Sequence, residues 1–138
     1  MILTDTGFWV ALINQRDKHH APAVQFMATC KEPLITTWPV ITEVCYLLGR
    51  ELGVASQRAF LQMIKADLLA VADIDVAQLD AVEQLMQKYA NLPMDLADAS
   101  LVLLAESVGH GRIVSTDQRD FHAYRWKNHH PFDNLLLP

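Results

Sequence analysis

With 138 residues, 51% hydrophobic and 20% charged, the chain is long enough for one compact domain and too apolar for disorder. Its net charge of −5 argues against a protein that coats nucleic acid by bulk electrostatics, but not against a nuclease, whose gathered acids count as negative until a cation offsets them. No apolar run is long enough for a transmembrane helix, the start Met1-Ile2-Leu3-Thr4-Asp5 lacks the basic region of a signal peptide, and Cys30 and Cys45 give neither a metal spacing nor a disulfide framework, so a reducing cytoplasm is the expected compartment.

Ile2-Leu3-Thr4-Asp5 reads as a short buried strand that ends at an acid, with Thr6-Gly7 as the turn after it. Phe8, Trp9, Leu12 and Ile13 then fit an apolar helical stripe. Asn14 to His20 is polar and reads as a loop; its adjacent histidines, His19 and His20, point in different directions and make a poor ligand pair. Ala21 to Thr29 is a short helix with Pro22 in its first turn, and Leu34-Ile35-Thr36-Thr37 a second strand. Pro39 opens a helix carrying Val40, Val44, Leu47 and Leu48. Glu43 lies about one turn into it among apolar neighbours, either turned outward or held inward for a purpose; Cys45 beside it reads as a buried free thiol.

Val54 to Ala66 is an amphipathic helix anchored by Phe60, Leu61 and Ile64, and Leu68 to Ile74 is an apolar run suited to a strand. Asp75-Val76-Ala77-Gln78 has the form of a capping box. The helix after it places Val76, Leu79, Val82 and Leu85 on one stripe, extended by Tyr89, with Asp80 and Glu83 on the solvated side. Next comes Pro93-Met94-Asp95-Leu96-Ala97-Asp98-Ala99-Ser100, where Pro93 suits a helix start and Asp95 and Asp98, three apart, share one face of the first turn. Leu101 to Ala105 continues it as a buried helix, ending near Gly109. Taken alone, two acids there are ordinary caps, favoured by the free amides and the helix dipole. Arg112-Ile113-Val114-Ser115-Thr116-Asp117 is a strand that again ends at an acid, with Asp120-Phe121 three residues on. The tail holds Arg125, Trp126, Lys127, His129 and His130, the histidines as surface residues, and a last apolar run, Leu135 to Leu137.

Strands alternate with helices throughout, which predicts an α/β fold: a single domain over residues 1–138, with a central, mainly parallel β-sheet flanked by helices on both faces. Such sheets bind ligands at the carboxyl ends of their strands. Asp5 and Asp117 occupy such ends, and Glu43, Asp95 and Asp98 stand near helix starts on the same rim. Two carboxylates at about 4 Å repel by roughly 4 kcal/mol at an effective dielectric near 20, so crowded acids need protons, basic groups or a cation. No Lys or Arg is interleaved in the Asp5, Glu43 or Asp98 motifs. An all-oxygen donor set points to Mg²⁺ or Mn²⁺ and not zinc, and such ions sit on phosphates and activate water for attack at phosphorus.

The order and setting of these residues also resemble a known family. Ile2-Leu3-Thr4-Asp5 at the start, Thr42-Glu43 on an early helix, Asp95-Leu96-Ala97-Asp98-Ala99 on a late one, and Ile113 to Asp117 followed by Asp120-Phe121 together look like a PIN domain, and more narrowly like a VapC-type toxin ribonuclease. The resemblance covers essentially the whole chain. It implies that Asp5, Glu43, Asp98 and Asp117 are the catalytic acids that hold Mg²⁺, with Mn²⁺ as a possible substitute. Asp5 and Asp98 match the main metal positions, and Asp95 and Asp120 are auxiliary. Gly7 departs from the Asn or Ser that family members often carry there, so a side-chain hydrogen bond is missing at that point. The implied reaction is metal-assisted hydrolysis of an RNA phosphodiester by the toxin of a type II toxin–antitoxin system. The implied partners are an RNA substrate, a second copy in a homodimer, and a small antitoxin protein lying in an apolar groove near the acids. The Phe8–Trp9 helix and the Pro39–Leu48 helix are candidate walls for that groove, although most of their apolar residues suit the core. Arg112, Arg119, Arg125 and Lys127 are candidates for steering the RNA backbone, against the ordinary reading of solvated surface.

Other readings fit less well. Asp5-Thr6-Gly7 matches the active-site triplet of aspartic proteases, but those need two such carboxylates in a mainly β fold, and there is one copy here. A phospho-acceptor receiver domain would show paired acids near the end of the first strand and an Asp on a central strand, and neither is present. A non-catalytic PIN-like module that binds RNA or protein is the alternative that remains.

Overall fold

The structure is a computed structural model that describes residues 1–137; Pro138, the last residue of the predicted domain, lies outside the described residues. The strands follow one another as β1 (Ile2–Thr4), β2 (Leu34–Thr37), β3 (Ala70–Ala72), β4 (Arg112–Val114), β5 (Arg125–Trp126), β6 (His130–Pro131) and β7 (Asp133–Asn134). Five of them form one parallel sheet in the order β3-β2-β1-β4-β7, and β5 and β6 pair as a small antiparallel ribbon. Leu3 sits between Ile35 and Ile113 at the sheet centre. Every residue of β1 and β2 is buried, as expected where helices cover both faces and an alternating pattern would put polar groups in the core.

The connecting helices are α1 (Thr6–Ile13), α2 (His20–Thr29), α3 (Trp38–Leu52), α4 (Val54–Lys65), α5 (Leu79–Lys88), α6 (Leu96–Val108) and α7 (Gln118–Ala123). α6 is buried on nearly all sides, from Ala99 through Ala105, because it packs on β1 and β2 and also against α3 and α5. It ends at Gly109, whose φ of 83° is the left-handed cap that glycine takes without a Cβ penalty. Hydroxyls inside the strands find partners: Thr4 donates to the Ile35 carbonyl (3.1 Å), Thr36 to that of Thr4 (2.8 Å), and Trp9 Nε1 to the Thr4 hydroxyl (2.9 Å). Ser100 Oγ donates to the Ala97 carbonyl, so the 2.6 Å bond between Thr37 and Ser100 has Thr37 as donor, tying the end of β2 to the first turns of α6.

This topology decides where a ligand can bind. The chain starts in the middle of the sheet, winds outward through β2 and β3, then reverses through β4 and β7. The strand order therefore switches between β1 and β4, and the carboxyl ends of those two strands open on a crevice that no crossover covers.

The structure departs from several of the expectations above. Thr6 and Gly7 are not a turn; the chain passes from β1 straight into α1, because the Asp5 carboxylate accepts from Thr6 N and caps the helix directly. The last central strand stops at Val114, leaving Ser115 and Thr116 in the loop above it. β3 is a three-residue edge strand, shorter than the 68–74 run, with Leu68 outside it and exposed. Leu61 faces solvent. Val76, at 80% exposure, and Leu79 also leave the predicted stripe, which Val82, Leu85 and Tyr89 carry alone. The Asp75 capping box opens a 3₁₀ turn over Val76–Gln78, and its tighter winding puts those residues out of phase with α5. Cys45 is only half-buried, and that burial pushes its thiol up. His20 Nδ1 donates to the Ala11 carbonyl (2.7 Å), while His130 stacks on Trp126. No helix of the described residues is long and apolar enough to cross a membrane.

Candidate active site

Asp5 is the first residue beyond the central strand. Its backbone N–H still reaches across to the Val114 carbonyl (3.1 Å), so the sheet itself sets its position. Both carboxylate oxygens are then held: Oδ1 accepts from Thr6 N (2.7 Å) and Oδ2 from Ser115 Oγ (2.8 Å). Ser115 Oγ also accepts from Asp117 N (2.9 Å), so one buried hydroxyl locks the first acid of the chain to the last motif, 110 residues away. Asn134 of β7 holds Ser115 in turn, donating to its carbonyl (2.9 Å) and accepting from its N–H (3.2 Å). Ser115 is not among the residues expected at the site from sequence. Its signal was local: a Ser two residues before Asp117 can accept that residue's N–H.

Asp95 and Asp98 are helix caps in geometry. Asp98 N donates to Asp95 Oδ1 (2.8 Å), and Asp95 N makes a longer contact to Asp98 Oδ2 (3.5 Å). Capping does not use up the Asp98 carboxylate, which also accepts from the Tyr124 hydroxyl (3.1 Å). Asp117 caps α7 by accepting from Asp120 N (3.1 Å), and Asp120 is buried with one oxygen 3.3 Å from Arg119 Nε. Glu43 on α3 is turned inward, which resolves the question its sequence neighbours left open. Asp5, Glu43, Asp95, Asp98, Asp117 and Asp120 all line one cavity of about 500 Å³, at the crevice where the strand order switches, and Asp17, from the loop after α1, joins them there.

The electrostatics match this crowding. Burial, reinforced by Glu43 and Asp117, raises Asp5 to about 7 in spite of its two hydrogen bonds. Burial, then the charges of Asp5 and Asp95, raise Asp98 to about 8. Glu43 is raised by burial and by Asp95, and Asp117 by burial and by Asp120. The Thr6 hydroxyl closes no well-formed hydrogen bond, yet its interaction with Glu43 is the influence that favours that group's charged form. Without a cation, this pocket holds protons at neutral pH that ordinary carboxyls release.

Gly7 now has a physical reason. A Cβ there would stand 1.8 Å from Thr116 Oγ1, so any side chain at this position forces Thr116 to turn or the loop carrying Ser115 and Asp117 to shift. The basic candidates separate. Arg112 is at the opposite, amino end of its strand and is paired with Glu32 through two bonds of 2.9 and 2.7 Å. Arg125 donates to the His122, Ala123 and Tyr124 carbonyls at the end of α7. Lys127 lies over the Trp126 ring. Among the described residues lining the cavity, Arg119 is the one basic side chain, 79% exposed. Beside the cavity runs an apolar groove lined by Trp38, Pro39, Tyr46 and Leu96, which shares Glu43 and Asp95 with it. The helix starting at Trp38 supplies one wall as expected, but Phe8 and Trp9 do not: both are fully buried against Phe26 and Phe60.

Fold and site together define a parallel α/β protein with an acidic pocket at its topological switch point. The PIN domain family model matches residues 2–127, and the chain belongs to that family. It is 24% identical over 124 residues to Ribonuclease VapC26 of Mycobacterium tuberculosis (strain ATCC 25618 / H37Rv), a match covering 90% of this chain and 92% of the relative. It also superposes on the crystal structure of Mycobacterium tuberculosis VapC20, described as a Sarcin-Ricin loop cleaving toxin, with a TM-score of 0.80, 20% identity, and coverage of 86% of this chain and 92% of the other. That likeness extends the agreement in fold.

Proposed function

We propose that residues 1–138 form a single nuclease domain, a Mg²⁺-dependent endoribonuclease that hydrolyses RNA phosphodiester bonds as the toxin of a type II toxin–antitoxin system. The observation that carries this reading is the convergence of seven acids, drawn from five separate stretches of chain, on one crevice where burial raises Asp5 to about 7 and Asp98 to about 8. The name of the relative, a ribonuclease, supports it. The donor set suits a hard divalent cation in kind, being all oxygen. Among the described residues no three acids, cysteines or histidines already close around one point.

Asp5, Glu43, Asp98 and Asp117 would hold Mg²⁺, with Mn²⁺ as substitute and Asp95 and Asp120 as auxiliaries. Bound there, the ion supplies a water of lowered pKa and offsets charge at phosphorus. The chain supplies the rest. Ser115 keeps Asp5 and Asp117 in register, and Arg119 offers its exposed guanidinium to a phosphate oxygen. Glu43, turned into the cavity from α3, is placed to accept a proton at its carboxylate from the attacking water. The protein would work in the cytoplasm as a homodimer, silenced by an antitoxin whose apolar segment lies along the Trp38–Tyr46 groove. Purified protein incubated with defined RNAs should cleave in Mg²⁺ or Mn²⁺ and stop in EDTA, with no special role for Zn²⁺. Cleavage that persists in excess EDTA refutes the metal, and RNA binding without cleavage at any metal concentration favours the non-catalytic module.

A further inference from the structure

We infer that Tyr124 is a positioning residue for the metal site: its phenol holds the Asp98 carboxylate in the orientation that binds the cation. The inference rests on the metal site proposed above. Tyr124 stands at the end of α7 and is fully buried. Its ring is wedged edge-on between Tyr89 (centroids 5.0 Å apart) and Phe121 (5.2 Å), and its backbone N–H donates to the Asp120 carbonyl (2.8 Å). The Tyr89 hydroxyl accepts from Arg125 N (3.0 Å), fixing the next residue as well. The phenol is therefore aimed by a rigid aromatic cluster and has little freedom to turn.

A buried tyrosine hydroxyl needs a hydrogen-bond partner, and a carbonyl would serve that purpose. Here the acceptor is Asp98 Oδ2, on a different helix and in the acid cavity. Of the two donors to that carboxylate oxygen, Tyr124 is the nearer, at 3.1 Å against 3.5 Å for the Asp95 amide. Both use Oδ2, which leaves Oδ1 without a donor among the described residues. A phenol keeps its proton at neutral pH, so it donates to the charged form that a cation requires. The short helix α7 thus serves the site twice, with Asp117 at its start and Tyr124 at its end. Partners that orient metal-binding carboxylates typically set metal affinity by roughly 10- to 100-fold.

The test measures Mn²⁺ binding to the full chain by electron paramagnetic resonance of free Mn²⁺, in wild type, Tyr124→Phe and Tyr89→Phe. Tyr89→Phe removes a hydroxyl from the same cluster without touching Asp98. Tyr124→Phe should weaken Mn²⁺ binding about 10-fold, and Tyr89→Phe should leave it unchanged. RNA cleavage by Tyr124→Phe should recover toward wild type as Mn²⁺ is raised, with KM for RNA constant. Equal binding by Tyr124→Phe and wild type, or equal weakening in both variants, overturns the assignment. If wild type binds no Mn²⁺, or Asp98→Asn binds it as well as wild type does, the metal site itself is wrong and this inference falls with it. Should Tyr124→Phe not fold, the wild type provides the second readout. Mg²⁺ should produce a tyrosine near-ultraviolet difference spectrum that survives in Tyr89→Phe and vanishes in Asp98→Asn, and its absence from wild type overturns the proposal.

Discussion

Replacing Asp5 by Asn should reverse the order of stability as pH rises. In the folded protein without metal, Asp5 keeps its proton up to about 7, against an ordinary value of 3.8. The unfolded chain releases that proton near 4, so between about pH 4 and pH 7 the folded state binds more protons and stability falls as pH rises. Above about pH 7 both states are ionised and this contribution is flat. At about 1.4 kcal/mol per pH unit between the two values, the full loss is about 4 kcal/mol. Asn carries no such slope. Its amide oxygen still accepts from Thr6 N, but the amide nitrogen that takes the place of Oδ2 cannot accept from the Ser115 hydroxyl, which costs about 1–3 kcal/mol. Urea unfolding in EDTA should therefore find Asp5→Asn the less stable protein at pH 4 and the more stable one at pH 8, by about 1–3 kcal/mol. With Mg²⁺ at a hundred times its Kd, wild type should regain about 2.7 kcal/mol and the variant much less, since the ion binds only the native site. Parallel stability profiles that never cross would refute the claim that burial among acids holds the Asp5 proton.

The other predictions concern neighbouring groups. Asp98→Asn should melt in EDTA at or above the wild-type temperature, gain less from Mg²⁺, and cleave RNA slower by orders of magnitude; wild-type cleavage would leave Asp98 a cap and nothing more. Gly7→Ala should lose about 1–3 kcal/mol by calorimetry, because its methyl collides with Thr116, and should lose activity through the displaced Asp117 loop. Arg119→Ala should raise KM for RNA more than it lowers kcat, and should reduce the salt dependence of binding by about one counterion; a change in kcat alone would remove Arg119 from the phosphate.

Much of this protein is decided by local sequence. The short runs at 2–4, 34–37 and 112–114, built mainly of Ile, Leu, Val and Thr without alternation, specify buried parallel strands, since only a sheet covered on both faces has room for them. Pro39 and Gly109 mark helix ends because their backbones permit little else. The acids at the strand ends were legible for a similar reason: Asp5 lies beside a strand end and Asp117 just beyond one, and the doubly wound arrangement brings such ends together. Where local signals compete, tertiary structure decides. Asp95 and Asp98 are caps by sequence and by geometry, and only the opposed carboxylates of Asp5 and the Tyr124 hydroxyl distinguish them from other caps. Glu43 could face either way until α3 was packed against the crevice. Gly7 and Tyr124 carry no signature of their own and Ser115 only its local bond to Asp117 N, because the partners that matter, Thr116, Asp98 and Asp5, stand 109, 26 and 110 residues away. Arg112, Arg125 and Lys127 have the same charge as Arg119 but different surroundings. Charge is a property of the residue, while access to a phosphate depends on which end of the sheet the fold places it.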